Sequence, residues 1–368
     1  MGTLILQDGS VYRGASFGAL GGYEGEVVFN SSSTGYQEII SDPSYAKQII
    51  VMSYPEIGNY GINDFDFESD APALVGLVVK NYAKQESHYK SRETLSNYLK
   101  MKNIIALEGI DTRSLVKKLT QVGTMTGFIT SNDVDSEFIR EKVSEIQTFK
   151  IKEDAVLAVS PKNRYVFNPQ GKVNIAFIDY GTKKSTLTAL AKRDCRLTIY
   201  PATVDSREIL DNNYDALFLS SGPADPNFLS YQVTQIKQMM GKLPIFGIAL
   251  GCELLALASG ATVSKMKSGH RGSSCPVINV ENNKVIMTSQ NHGYVIDNEN
   301  VTKFMRVTHK NLNDDSIEGF EVGSLSVYAV QFNPEGAPGS QDGAIIFDEW
   351  VNIAQKDINR INEVKNER

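Results

Sequence analysis

The chain has 368 residues, of which 41% are hydrophobic and 22% charged, with a formal net charge of −6 and a sequence pI near 5.4. It is long for a single core and too apolar for a disordered chain, so two folded domains are expected. The acidic balance argues against a sequence-independent nucleic-acid binder, and three well-separated cysteines argue against a disulfide framework and fit a reducing, cytoplasmic compartment.

The N-terminus carries no basic leader, and Leu6 stands where a myristoylation signal needs Ser or Thr. Residues 4–6, then Asp8-Gly9, then Val11-Tyr12 predict a β-hairpin, because Asp-Gly accommodates the positive φ of a two-residue turn. Residues 48–53 predict a buried strand. Ser91 predicts the cap of a helix carrying Leu95, Tyr98 and Leu99 on one face. Residues 104–107 are strand-like, and Asp111 predicts a second cap, for a helix carrying Leu115, Val116 and Leu119. Over 160–172 the pattern breaks into Ser160-Pro161-Lys162-Asn163 and Asn168-Pro169-Gln170-Gly171. The expected organisation is therefore a domain over 1–159, a linker over 160–172 and a domain over 173–368.

Beyond the linker the rhythm becomes βαβ: strands over 173–179, 196–200, 216–220 and 245–248, with helices over 183–192 and 230–240 between them. Short apolar strands alternating with helices predict a parallel sheet covered on both faces, with ligands at the strands' C-terminal ends. Residues 244–263 carry only Glu253 as a charge, a length that would allow a membrane span. Gly247, Gly251 and Gly260 punctuate it, and a strand–turn–helix is the expected reading. The end, 355–368, is charged and expected to fray.

Gly247-Ile248-Ala249-Leu250-Gly251, between a strand and a helix, has the spacing of a nucleophile elbow. Flanking glycines let a sharp turn raise the central residue toward the positive end of the helix, which would acidify a thiol and present N–H groups to an oxyanion. The central residue is Ala249, whose methyl group cannot attack anything.

The run from Pro244 through Ala249, Cys252 and Glu253 to Gly260 resembles the nucleophile segment of class I glutamine amidotransferases. Within that class the chain is most similar to the small subunit of carbamoyl phosphate synthetase. Ser221-Gly222-Pro223-Ala224-Asp225-Pro226, Ser289-Gln290-Asn291-His292-Gly293-Tyr294 and Lys265-Met266-Lys267-Ser268-Gly269-His270-Arg271-Gly272 carry that likeness in the second domain. Gly35-Tyr36-Gln37-Glu38-Ile39, Asp42-Pro43-Ser44-Tyr45 and Tyr54-Pro55-Glu56-Ile57-Gly58-Asn59 carry it in the first. The resemblance implies an α/β protein: a mixed α/β N-terminal domain, then a flavodoxin-like amidotransferase domain with a mostly parallel central sheet. It also implies glutamine hydrolysis by a Cys–His–Glu triad, with ammonia passed to an ATP-using large subunit that makes carbamoyl phosphate for pyrimidine or arginine biosynthesis. No cofactor and no metal of the chain's own are implied.

The sequence departs from that pattern. Ala249 stands at the nucleophile position and Asn333 at that of the base, in Asn333-Pro334-Glu335; only the orienting acid, Glu335, is retained. Loss of such a nucleophile costs about a million-fold in turnover. An engineered exchange at 249 alone would not account for Asn333. By resemblance Ser44, Gly222, Leu250, Asn291, Gly293 and Tyr294 line the glutamine pocket, where Ala224 replaces a Gly and Glu253 a Gln.

Three readings follow. The chain is a small subunit without glutaminase activity that stabilises or regulates a large subunit supplied with external ammonia; or a glutaminase using Cys252 as a displaced nucleophile; or a stand-alone ligand-binding module that keeps glutamine or another ligand. Cys252, His270, Cys275 and His292 fit no compact zinc spacing, His88 and His309 read as surface or loop residues, and no phosphate-binding Gly-rich loop is present. ATP chemistry therefore belongs to a partner.

Overall fold

The structure, a computed structural model, describes residues 1–366, with side chains up to Lys356. The expectation of fraying over 355–368 falls almost wholly outside the described side chains. Two compact units emerge: Met1–Ile151 with Met266–Gly272, and Lys152–Lys265 with Ser273–Arg368.

In the first unit the strands are β1 (Gly2–Leu6), β2 (Val11–Ser16), β3 (Gly22–Asn30), β4 (Gln48–Met52), β5 (Glu56–Ile57), β6 (Gly76–Val78), β7 (Asn81–Tyr82), β8 (Ile105–Glu108) and β9 (Met125–Thr130). The helices are α1 (Tyr36–Ser41), α2 (Leu95–Met101), α3 (Thr112–Val122) and α4 (Ser136–Ile146). β1-β2-β8-β6-β4-β3-β9 closes into a barrel, sealed where β1 pairs antiparallel with β9, Leu4 opposite Ile129. Alternation along β4 sends Ile49 and Val51 into one core with Leu115 and Leu119 of α3. Ile50 and Met52 enter another with Ile39 of α1 and Leu99 of α2.

The predicted first hairpin forms, but Gln7–Ser10 separate its strands, with Gly9 at φ 84°. The cap of α2 is Thr94, whose Oγ1 accepts from the Asn97 N–H, and not Ser91. Chain up to Glu93 is held extended against Ile62, so no helix can start sooner. Asp111 caps α3 as expected, accepting from the Ser114 N–H.

The second unit begins with α5 (Glu153–Val159), which buries Val156 in that unit's core. The chain therefore changes unit at Ile151/Lys152, ahead of the loop-like 160–172. Inside that stretch β10 (Tyr165–Phe167) pairs antiparallel with β12 (Cys195–Pro201). Three residues between two prolines are too few to show a period. After β11 (Val173–Asp179) and β12 come β13 (Ala216–Leu219), β14 (Ile245–Ile248), β15 (Val263–Asn279), β16 (Val285–Ile296), β17 (Arg306–Asn311), β18 (Ile317–Val322) and β19 (Val327–Val330). The helices are α6 (Lys184–Ala191), α7 (Ser206–Leu210), α8 (Ser230–Met239), α9 (Leu250–Ala258) and α10 (Ile345–Asn366).

These strands form one sheet, β10-β12-β11-β13-β14-β19-β18-β17-β15-β16. Its centre, β12 through β19, is parallel as the βαβ rhythm implies, and β19 onward continues antiparallel. Leu217, Leu219 and Ile245 face a core shared with Ile236 of α8 and Leu254 of α9. Phe177, Phe218, Phe246 and Ile248 face the other, with Leu187 of α6 and Trp350 of α10; Phe246 stacks on Trp350 at 5.1 Å between ring centroids. The apolar run over 244–263 resolves into β14, a turn and α9, and among the described residues no helix is long and apolar enough to cross a membrane.

Candidate functional site

β14 ends at Ile248 and α9 begins at Leu250, leaving Ala249 alone at the crown of the turn with φ 46° and ψ −112°. A non-glycine residue there is strained by roughly 1–3 kcal/mol and persists only where its surroundings fix it. Here the Ala249 N–H donates to Val330 O at 3.0 Å, the Glu253 N–H donates to Ala249 O at 3.0 Å, and the Gly251 N–H donates to Ser220 O at 3.0 Å. A Cβ on Gly251 would lie 2.4 Å from Leu219 O, and one on Gly247 2.8 Å from the Gly251 backbone. Both glycines are needed for α9 to start so close to β13 and β14. The strand–turn–helix geometry read in the sequence forms, with the Ala249 methyl group at its crown.

Loops after β11, β13, β14 and β19 leave the same, C-terminal end of the parallel strands, and so gather the residues around Lys183, Gly222, Ala249 and Asn333 at one end of the sheet. Asn333 bridges to Ser289 of β16, its N–H donating to Ser289 O at 2.8 Å. Its Oδ1 is buried without a hydrogen-bond partner among the described residues. Glu335 forms an ion pair with Lys183, both side chains 1% exposed, and Lys183 Nζ also donates to Ala337 O at 2.9 Å. The sequence reading missed Lys183; its one signal was its place just past the first parallel strand.

The pocket positions are distributed as follows. Gly222 and Ala224 follow β13: a Cβ on Gly222 would meet Tyr180 O at 2.4 Å, and Ala224 holds φ 104°, a backbone conformation that favours glycine. Leu250 and Glu253 lie in the first turn of α9, both buried, and Gln331 Nε2 donates to Glu253 Oε1 at 2.7 Å. Asn291, Gly293 and Tyr294 lie on β16, where His292 between them is held by Tyr294 O (2.8 Å) and Gln290 Oε1 (3.2 Å). Ser44 belongs to the first unit, where its N–H and Oγ both donate to Asp42 Oδ1, at 2.8 and 2.7 Å.

Cys252 is 0% exposed inside α9, and burial, reinforced by the Glu253 and Glu318 carboxylates, pushes its thiol well above the usual range. All three cysteines are free. His309, expected at the surface, is instead buried on β17, edge-on to Phe332 at 5.7 Å, and burial lowers its pKa to about 4. Its strand is polar except for Val307, which hid it.

Residues 176–353 match the family described as glutamine amidotransferase class-I, which defines the class of the second unit. Residues 4–129 match the carbamoyl-phosphate synthase small chain, CPSase domain. The chain is 43% identical over 352 residues to the "Carbamoyl phosphate synthase pyrimidine-specific small chain" of Bacillus subtilis, covering 96% of this chain and 95% of that one. It is 41% identical to the "Carbamoyl phosphate synthase small chain" of Clostridium acetobutylicum (96% and 99% covered) and 42% identical to that of Bacillus caldolyticus (98% and 98%). The chain belongs to the carbamoyl phosphate synthase small chain family.

Proposed function

We propose that this small chain no longer hydrolyses glutamine and acts as a structural or regulatory subunit of a carbamoyl phosphate synthetase that uses free ammonia. One observation supports the reading: the turn keeps its strained crown geometry around Ala249, a residue without a nucleophile, and Asn333 stands where the resemblance implies the base. Glutamine hydrolysis by this route needs a thiolate to attack the carboxamide carbon and a base to take its proton and return it to the leaving ammonia. A methyl group has no lone pair to offer, and a primary amide does not take up a proton near neutral pH. Glu335 is left paired with Lys183 and has no imidazole to orient.

Cys252 does not substitute for the missing thiol: it is enclosed in the core, and its raised pKa keeps it protonated. The Glu253 carboxylate, where the resemblance implies a Gln, changes the local charge of the pocket. The partner is an ATP-using large subunit, a reading supported by membership of the small chain family, and the free cysteines suit the cytoplasm. Pyrimidine or arginine biosynthesis is the pathway class served.

The test is carbamoyl phosphate synthesis by the complex reconstituted with its large subunit, with ammonium or glutamine as nitrogen donor. Ammonium is expected to support synthesis, and glutamine to give a rate about a million-fold below that of an intact hydrolase of this logic. Comparable rates from the two donors would overturn the reading.

A further inference from the structure

The opposite end of the second unit's sheet carries a second polar site. In the β11–β12 register Asn174 lies beside Arg196, Ala176 beside Thr198 and Ile178 beside Tyr200, so these six share one face. Toward the strands' C-terminal ends that face is covered: Ala176, Ile178 and Tyr200 pack with Ile209 of α7. Toward the N-terminal ends the cover stops, and a cavity of about 310 Å³ opens over Asn174, Arg196 and Thr198, walled by Arg164, Tyr165 and Tyr214.

Arg196 is half-buried there, and its hydrogen-bond partner is neutral: Nη1 donates to Asn174 Oδ1 at 2.9 Å. It makes no ion pair among the described residues. Elsewhere in this unit Arg193 and Arg306 are met by Asp348, and by Glu281 and Glu321. Arg164, at the exposed rim, touches Glu208 at 3.2 Å. The walls are pinned in place, since Asn174 Nδ2 donates to Asn213 O at 2.7 Å and Tyr214 Oη pairs with Tyr200 Oη at 2.8 Å. A partly desolvated guanidinium with no counter-charge, in a braced cavity, is what an oxyanion would complete, since the planar group offers paired donors to a phosphate or carboxylate.

We propose that this cavity binds a small phosphate- or carboxylate-bearing molecule, Arg196 being the anchor and Arg164 the rim contact. It lies at the N-terminal ends of β11 and β12, whereas Ala249 follows the C-terminal end of β14, so the ligand is an effector and not a substrate of the elbow. The inference is independent of whether glutamine is hydrolysed.

The experiment is calorimetric titration of the full chain with inorganic pyrophosphate and, separately, with citrate, at low ionic strength. Saturable one-to-one binding of at least one is expected, and which one binds distinguishes a phosphate from a carboxylate ligand. Arg196→Met should weaken it about tenfold or more, Arg164→Met less, and Arg207→Met, an exposed arginine paired with Asp205, not at all. Arg196→Lys, which keeps the charge and loses the planar donor pair, should fall between wild type and Arg196→Met, and it guards against a Met variant that fails to fold. Absence of saturation by either probe up to about 10 mM, or affinity unchanged in a folded Arg196→Met or Arg196→Lys protein, would overturn the proposal.

Discussion

On the proposed function, two residues decide the chemistry, Ala249 and Asn333. Nucleophile and base act as a unit, so restoring one without the other gains little. Ala249→Cys alone should release no measurable glutamate from glutamine. Ala249→Cys with Asn333→His and Glu253→Gln should exceed it by about a hundredfold or more, the usual contribution of a positioned base. A glutaminase assay with isolated protein reads this: equal measurable rates in the single and triple variants would show that another group serves as base, and no measurable rate in the triple variant would show that Asn333 does not stand at the base position. The backbone at Ala249 already has the crown geometry, so these variants ask only for side chains.

His309 makes a separate prediction about pH. In the folded chain it stays neutral down to about pH 4, whereas an unfolded histidine takes up a proton below its ordinary value of 6.5. Between those values the unfolded state binds more protons, so stability falls as pH drops from 6.5 toward 4, by roughly 3 kcal/mol at the most. Asp179 works the other way: burial raises its carboxyl from 3.8 to about 6, so acidification over that window relieves a folded-state cost. The wild-type trace alone will mix the two. His309→Gln against wild type in urea titrations from pH 7 to 4 isolates the histidine, and the variant should lose less stability on acidification. Parallel traces would refute the assignment.

At the scale of elements, the elbow depends on α9 starting hard against β13. Gly251→Ala places a Cβ 2.4 Å from Leu219 O, a backbone atom that cannot swing aside, and should cost about 3 kcal/mol. Gly323→Ala, where a Cβ meets nothing within 4 Å, is the matched control and should be nearly neutral in a urea midpoint measurement. The parallel strands were the legible part of this sheet: β11 and β14 appear at the predicted residues because residues 175–178 of β11 and all of β14 are buried apolar runs. The antiparallel half was not legible, because β15 and β17 are studded with Lys, Arg, Ser and Asn and show no clean alternation. Barrel closure was hidden for another reason: Leu4 pairs with Ile129, and no local pattern marks a partner so distant in sequence. At the site, the strand–turn–helix around Ala249 could be read directly from the sequence. Lys183 could not, since its pairing with Glu335 exists only once β11 and β19 stand in one sheet.

For the whole molecule, the two units divide the chain unevenly: 266–272, far along the sequence, belongs to the first. That segment's backbone gives the barrel unit three hydrogen bonds: the Thr124 N–H donates to Lys267 O at 2.8 Å, and the Ser31 N–H and Oγ both donate to Arg271 O at 3.0 Å. The barrel's own closure and both of its cores lie within residues 1–151. A fragment of residues 1–151 should therefore fold cooperatively, but less stably than the same unit in the full chain. Three lost hydrogen bonds at roughly 1 kcal/mol each set the scale of the deficit. Hydrogen exchange localises it: the Thr124 and Ser31 amides should exchange faster in the fragment, while the Leu4 and Ile129 amides at the barrel seam stay protected. A fragment without a cooperative transition would mean that the barrel needs the 266–272 segment to close, and that the first unit cannot form until the chain has been made past Gly272.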